Sequence, residues 1–112
     1  MIARRPALAA LVVLTIALVG PPAPAAAADA AKTFATSCAP CHGKQGEPNA
    51  VFAKQGVRSF KDAAWQKAAT DAQIEKSIRE GKQGTMMASF DKALSNEEIK
   101  SLVGYIRQLG KK

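Results

Sequence analysis

Histidine and cysteine are scarce in this sequence, which holds one histidine and two cysteines. A structural zinc site takes four ligands, usually cysteine or histidine, and the chain has only three such side chains. As a disulfide, Cys38 and Cys41 would close a very short loop, and short loops remove little entropy from the unfolded chain. A thioredoxin-like redox pair usually lies where a strand meets a helix, a context that the surrounding sequence lacks. The number, the spacing and the sequence context of these residues therefore disfavour a zinc site, a structural disulfide and a thioredoxin-like pair.

Long apolar runs are also missing. The longest, residues 7–20, contains 14 residues, whereas a membrane-spanning helix needs about 20. This run follows two arginines and precedes a stretch of proline and alanine that ends in three alanines at residues 26–28. A basic start, a short apolar run and small residues at a cut site are typical of a secretory signal peptide. We therefore predict a signal peptide over residues 1–28, cleaved before Asp29, with an uncleaved membrane anchor as the alternative.

Acidic residues are few, at 9 against 16 lysines and arginines. Removal of Arg4 and Arg5 with the signal peptide leaves 14 basic residues, so the predicted mature chain carries a net charge of +5. Its lysines are scattered, without the dense basic cluster and interleaved aromatics that would indicate nucleic-acid binding. A diffuse positive charge favours steering towards an acidic protein or an anionic membrane surface. We therefore predict protein partners, no nucleic acid, and no stable membrane span after signal cleavage.

The predicted mature domain, residues 29–112, has a helical pattern. No segment alternates polar and apolar residues as a half-buried strand does. Capping boxes, in which the N-cap and N3 side chains each bond the other's backbone amide, occur at Thr70 with Gln73 and at Ser95 with Glu98. Each box opens a helix whose apolar residues recur at helical spacing. The residues expected to be buried on these two helices are Ile74, Ile78, Ile99, Leu102, Val103, Ile106 and Leu109.

This domain is small for a protein that folds on side chains alone. Its 84 residues bury a modest apolar core, and domains of this size commonly rely on a metal, disulfides or another staple. Besides the two capped helices, the sequence predicts a short helix over residues 30–37, a helix-rich stretch over 60–69, and loops over 43–56 and 83–92. Something other than side chains is therefore expected to complete the core.

Cys38, Cys41 and His42 form a motif of two cysteines separated by two residues and followed by histidine. This motif is typical of c-type haem attachment. The two sulfurs reach the two vinyl groups on one edge of a porphyrin and form thioether bonds, and the next residue turns its imidazole under the iron. The motif therefore predicts one haem c, covalently bound through two thioether bonds, with His42 as an axial iron ligand.

The sequence around the motif resembles the class I cytochromes c, which are small soluble proteins with one haem and the attachment motif near the start. The resemblance covers nearly all of residues 30–109. Its specific parts are Phe34, the motif, residues 87–90 and residues 102–106. It implies an all-α architecture, the small cytochrome c fold, with helices packed around one covalently bound haem.

The resemblance also implies how the two ends of the domain pack. In that family the first and last helices cross and lie close together. Phe34, Leu102 and Tyr105 match the family's contact positions, and Gly104 is expected to allow the close approach.

Further residues of the haem site follow from the same resemblance. The family's sixth ligand is a methionine three residues before a phenylalanine, which matches Met87 and Phe90, and Met86 is the neighbouring alternative. Both methionines would otherwise fill the core. In the family, a proline carbonyl after the motif accepts a hydrogen bond from the ligating imidazole, and Pro48 is the candidate. Trp65 is expected to line the pocket, to pack in the core or to donate to a haem propionate.

Together these features predict a one-electron carrier that works between redox partner proteins outside the cytoplasm, in the periplasm. Axial ligation by histidine and methionine closes the coordination sphere of the iron, so the resemblance implies a carrier and not an enzyme. Two alternatives stay open. One is a haem enzyme or gas sensor with an open sixth position, and the other is a subunit whose haem serves a larger complex.

Overall fold

The computed structural model describes residues 2–3, 6–18, 20 and 25–112. Residues 6–18 have no regular secondary structure and are exposed, and no strand occurs among the described residues. No helix in this part of the chain is both long enough and apolar enough to cross a membrane. The predicted signal peptide stays a prediction, because its two arginines and residues 21–24 lie outside the described residues.

Short helices make up the domain, as the sequence predicts. In the described part of the chain they are α1 (Ala25–Thr33), a π-helical turn (Phe34–Cys38), α2 (Ala39–His42), α3 (Ala50–Lys54), α4 (Ala63–Ala68), α5 (Asp71–Glu80) and α6 (Asn96–Leu109). The first three follow one another without a break, so the helix expected over residues 30–37 is longer at both ends. The stretch over residues 83–92 forms no helix, which confirms the predicted loop.

One predicted loop contains a helix. Residues 43–56 include three glycines and a proline, but α3 occupies the second half of this segment. The glycines lie towards its two ends, which leaves residues 47–55 free of them. Asn49 starts the helix, because its side-chain oxygen accepts a hydrogen bond from the amide of Phe52 at 3.1 Å. The prediction of an unbroken loop was wrong because residues 47–55 contain no glycine and Asn49 caps a helix there.

Both predicted capping boxes are present. The Thr70 hydroxyl accepts from the Gln73 amide at 3.1 Å, and the Thr70 amide donates to the Gln73 side chain at 2.9 Å. The corresponding bonds between Ser95 and Glu98 measure 3.1 and 3.2 Å. Each box satisfies amides that a helix N-terminus leaves unpaired. These local bonds fix where α5 and α6 begin.

The core lies where the first and last helices pack together, with α5 beside them. The Phe34 ring lies 5.1 Å from the Tyr105 ring, centroid to centroid, which confirms the expected contact between the two ends of the domain. All seven residues predicted to be buried on α5 and α6 are buried. Among the residues whose burial is described, the buried apolar set comprises Ala30, Phe34, Phe60, Ile74, Ile78, Ile99, Leu102, Val103, Ile106 and Leu109.

Gly104 does not perform its expected role. It is exposed on α6, and a Cβ atom added there would contact nothing within 4 Å. The two helices instead meet through large side chains, with Phe34 and Leu102 almost completely buried. The crossing therefore depends on side-chain packing and not on a glycine at the interface.

A polar network connects α4 to α6. The Gln66 amide group donates to the backbone carbonyls of Phe60 at 2.7 Å and Ile106 at 3.0 Å. Arg107 donates to the Ala69 carbonyl at 2.6 Å and to a carboxylate oxygen of Asp71 at 2.8 Å. Hydrogen bonds of this kind satisfy carbonyls that the loop and the helix ends leave unpaired. They hold the segment that carries Phe60 against the last helix.

Candidate functional site

The two cysteines lie on one continuous helical segment. Cys38 ends the π-helical turn and Cys41 lies on α2. A spacing of three residues places side chains on the same side of a helix. Both thiols are free and half-buried, and Cys38 packs against the core. Two thiols on one side of a helix are suited to bonding two carbons along one edge of a flat molecule.

The chain turns sharply after the motif. Gly43 ends α2 with a φ of +80°, and a Cβ atom there would overlap the backbone oxygen of Glu47. The turn is closed by the Gly46 amide, which donates to the Gly43 carbonyl at 3.0 Å. The Gly46 carbonyl in turn accepts from the Phe60 amide at 2.8 Å. This arrangement brings the Phe60 backbone back towards the motif.

His42 is half-buried and stacks on Phe60. The two ring centroids are 4.8 Å apart and the planes are inclined by 18°. Burial lowers the pKa of His42 below its ordinary value, because an apolar environment disfavours the charged imidazolium. A histidine must be neutral to bind a metal ion. The structure therefore favours the form of His42 that can act as an iron ligand.

The predicted bond between His42 and Pro48 is not formed. The His42 Nδ1 atom is buried and has no hydrogen-bond partner among the described residues. Pro48 is half-buried, but its carbonyl does not accept from this nitrogen. The neighbour that stacks on the imidazole in this structure is the Phe60 ring. Buried polar atoms usually have a partner, so this nitrogen is an exception among the described residues.

Burial raises the pKa of the Cys38 thiol to about 11, and the nearby Cys41 adds to this shift. A thiol with so high a pKa is almost entirely protonated near neutral pH. Thiolate is the reactive form in disulfide exchange and in metal binding. The raised pKa of Cys38 therefore disfavours a reactive thiolate at this position.

The two methionines have different surroundings. The Met86 side chain is 71% exposed, whereas Met87 is half-buried and packs against the core. Met87 also lies near His42. Of the two sulfurs, that of Met87 is the one that the fold keeps on the inner side.

Trp65 is half-buried and packs on Phe60, with ring centroids 5.0 Å apart. This contact agrees with the expectation that Trp65 lines the pocket or the core. Phe60 is therefore the residue that sequence reasoning missed, since it touches both His42 and Trp65. The sequence shows only that Phe60 is an aromatic residue two positions before Asp62, a good N-cap residue. That position does not predict which ring Phe60 contacts.

Comparison with known proteins agrees with this arrangement. A family model described as cytochrome c oxidase, cbb3-type, subunit III matches residues 25–106. Cytochrome c-553 of Helicobacter pylori is 34% identical over 82 residues, which are 70% of this chain and 76% of that protein. The chain belongs to the c-type cytochromes. This membership makes haem-based electron transfer the chemistry of the cytochrome, as the motif predicts.

Two further similarities define the fold and the extent of the match. A solved structure of the KustC0563 c-type cytochrome superposes with a TM-score of 0.66 at 36% identity, and covers 71% of this chain and 95% of that one. The cbb3-type cytochrome c oxidase subunit FixP of Azorhizobium caulinodans is 36% identical over 84 residues. These are 68% of this chain but 27% of FixP. The small all-α cytochrome c fold is thereby confirmed.

Proposed function

We propose that this cytochrome carries single electrons between redox partner proteins outside the cytoplasm, with one haem c attached through Cys38 and Cys41. One observation carries the proposal most directly. Two free thiols on one side of a helical segment are followed by a half-buried imidazole that is favoured in its neutral form. Two free thiols on one side of a helical segment and a neighbouring half-buried imidazole fit a haem that is bonded at its edge and ligated at its iron.

Each residue of the site has a separate task in this proposal. Haem c, when bound, supplies an iron that takes up and releases one electron. Cys38 and Cys41 would hold the group covalently, and His42, which stacks on the Phe60 ring, would supply one ligand to the iron. Met87 would supply the other ligand, a soft and neutral thioether that favours ferrous iron and raises the reduction potential.

Two iron ligands from the chain would argue for a carrier and not an enzyme. With His42 and Met87 in place, the chain leaves no coordination position for a substrate. Phe60 and Trp65 cover part of the site with aromatic rings, and apolar surroundings restrict the access of water. These residues therefore suit a haem whose iron would change its charge while keeping the same ligands.

The N-terminal sequence indicates the compartment in which the carrier works, and the net charge indicates the kind of partner that it meets. Residues 1–28 have the pattern of a secretory signal peptide, so we place the mature protein, residues 29–112, in the periplasm. Its net charge of +5 favours steering towards partners with acidic surfaces.

A second candidate function is favoured by the family model and by FixP, whose names describe oxidase subunits. In that case the cytochrome would pass electrons inside a larger complex. Size-exclusion chromatography of a native extract separates the two candidates. A free carrier elutes as a small protein, whereas a subunit elutes with a large assembly.

A redox titration of the purified mature protein tests the proposed function. We expect a reversible transition that fits the transfer of one electron, and we expect the reduced protein not to bind carbon monoxide readily. A haem that binds carbon monoxide at once on reduction would instead support the enzyme or sensor class. A protein without a reversible one-electron transition would contradict the proposal.

A further inference from the structure

The loop that carries Met87 is bonded to the end of α5. The last carbonyls of a helix have no partner within the helix, and the loop supplies two of the missing donors. The Phe90 amide donates to the Ile78 carbonyl at 3.0 Å. The Ser89 hydroxyl donates to the Arg79 carbonyl at 2.6 Å. The segment immediately after Met87 is therefore fastened to the helix by its own backbone and by one side chain.

The segment before Met87 is also closed by hydrogen bonds. The Met87 carbonyl accepts from the Lys82 amide at 3.1 Å. The Met87 amide donates to the Thr85 hydroxyl at 3.2 Å, and that hydroxyl donates to the Lys82 carbonyl at 2.7 Å. Both backbone groups of Met87 are thus bonded, so the backbone of this residue has a defined position.

Gly81 lets the loop approach the helix this closely. It follows the last residue of α5 with a φ of +72°, a conformation that favours glycine. A Cβ atom on Gly81 would lie 2.6 Å from the backbone oxygen of Met87 and 2.9 Å from the amide nitrogen of Ser89. Those atoms belong to the backbone and cannot rotate away as a side chain could. Any larger residue would therefore push the Met87 backbone off the end of α5.

We propose that Gly81 and Ser89 are positioning residues, which hold the Met87 backbone so that its sulfur reaches the iron. The inference rests on the proposed function, in which Met87 is an axial ligand. A methionine side chain has three rotatable bonds, and it directs its sulfur to one place only if its backbone is fixed. Gly81 acts through the space that it leaves free, and Ser89 acts through its bond to the Arg79 carbonyl.

Gly81→Ala and Gly84→Ala are a matched pair for testing this proposal. Gly84 lies in the same loop with a φ of +78°, so alanine has to adopt a positive φ at both positions. A Cβ atom on Gly84 contacts nothing within 4 Å. In the oxidised holoprotein, we expect Gly81→Ala to lose at least half of the sulfur-to-iron absorption band and, when reduced, to bind carbon monoxide. Gly84→Ala keeps the band and stays closed to carbon monoxide.

Ser89→Ala provides an independent test that introduces no steric overlap. Its control is Ser77→Ala, because the Ser77 hydroxyl donates at 3.0 Å to the Gln73 carbonyl within α5 and not to the loop. Both proteins are heated while the sulfur-to-iron band and the helical circular dichroism are followed together. We expect Ser89→Ala to lose the band at a lower temperature than its helices, whereas Ser77→Ala loses both signals together.

The outcomes separate this inference from the function on which it rests. If Gly81→Ala keeps the band as Gly84→Ala does, or if Ser89→Ala loses band and helix together, the positioning roles are wrong and the carrier function stands. If Gly81→Ala fails to fold, the serine pair decides the question. If the unaltered protein lacks the band, Met87 is not a ligand and the inference fails with it. The one-electron titration then still tests the carrier function separately.

Discussion

Replacement of Met87 by alanine is expected to abolish the sulfur-to-iron band of the oxidised protein and to open the reduced protein to carbon monoxide. Loss of the soft thioether also lowers the reduction potential, because water, hydroxide or a lysine would take its place. We expect a fall of the order of 100 mV, within the roughly 0.8 V that axial ligation spans. Absorption spectra and a redox titration measure all three effects.

Met86→Ala is the matched control for this experiment. The Met86 side chain is 71% exposed, whereas Met87 is half-buried against the core, so removal of Met86 leaves the iron ligation intact. Should the Met86 variant lose the band while the Met87 variant keeps it, the assignment of the loop would be wrong by one residue. Should neither variant lose it, the sixth ligand is not a fixed methionine.

The haem-free protein is expected to be largely unfolded. The side chains alone bury a core of ten residues in residues 29–112, and domains of this size commonly need a further stabilising element such as a cofactor, a metal or a disulfide. Cys38, Trp65 and Met87 are only half-buried, although each packs against that core. A large apolar group at this site would bury them further and would stabilise only the folded state.

Circular dichroism of the protein made without haem measures this dependence. We expect less than half of the helical signal of the holoprotein and no cooperative thermal transition. The Cys38→Ala, Cys41→Ala double variant, which cannot form thioether bonds, gives the same comparison in cells that make haem. A cooperative transition in the haem-free protein would show that the helices form their core without the cofactor.

Local patterns allowed the helices and the core to be predicted. Each capping box involves residues three apart, and the buried positions of α5 and α6 follow from helical periodicity. Phe34 and Tyr105 could be paired only through the resemblance to a known family, since 70 residues separate them in the sequence. The structure confirms their contact.

The site could be predicted where the motif is contiguous and not where it is built from distant segments. Cys38, Cys41 and His42 lie within five consecutive residues, so their chemistry could be predicted without a structure. The stacking of Phe60 on His42 depends on the Gly43 turn and on the bond between Gly46 and Phe60, which no spacing rule describes. The bond to Pro48 was expected by analogy, and the unpaired Nδ1 of His42 shows that this structure does not form it.

The most direct test of the central claim, covalent attachment of haem through Cys38 and Cys41, is the intact mass of the purified protein after extraction with acidified acetone. We expect the mass of the polypeptide from residue 29 to 112 plus one haem, with the colour remaining on the protein. Recovery of free haem in the acetone, together with the mass of the bare polypeptide, would contradict the claim.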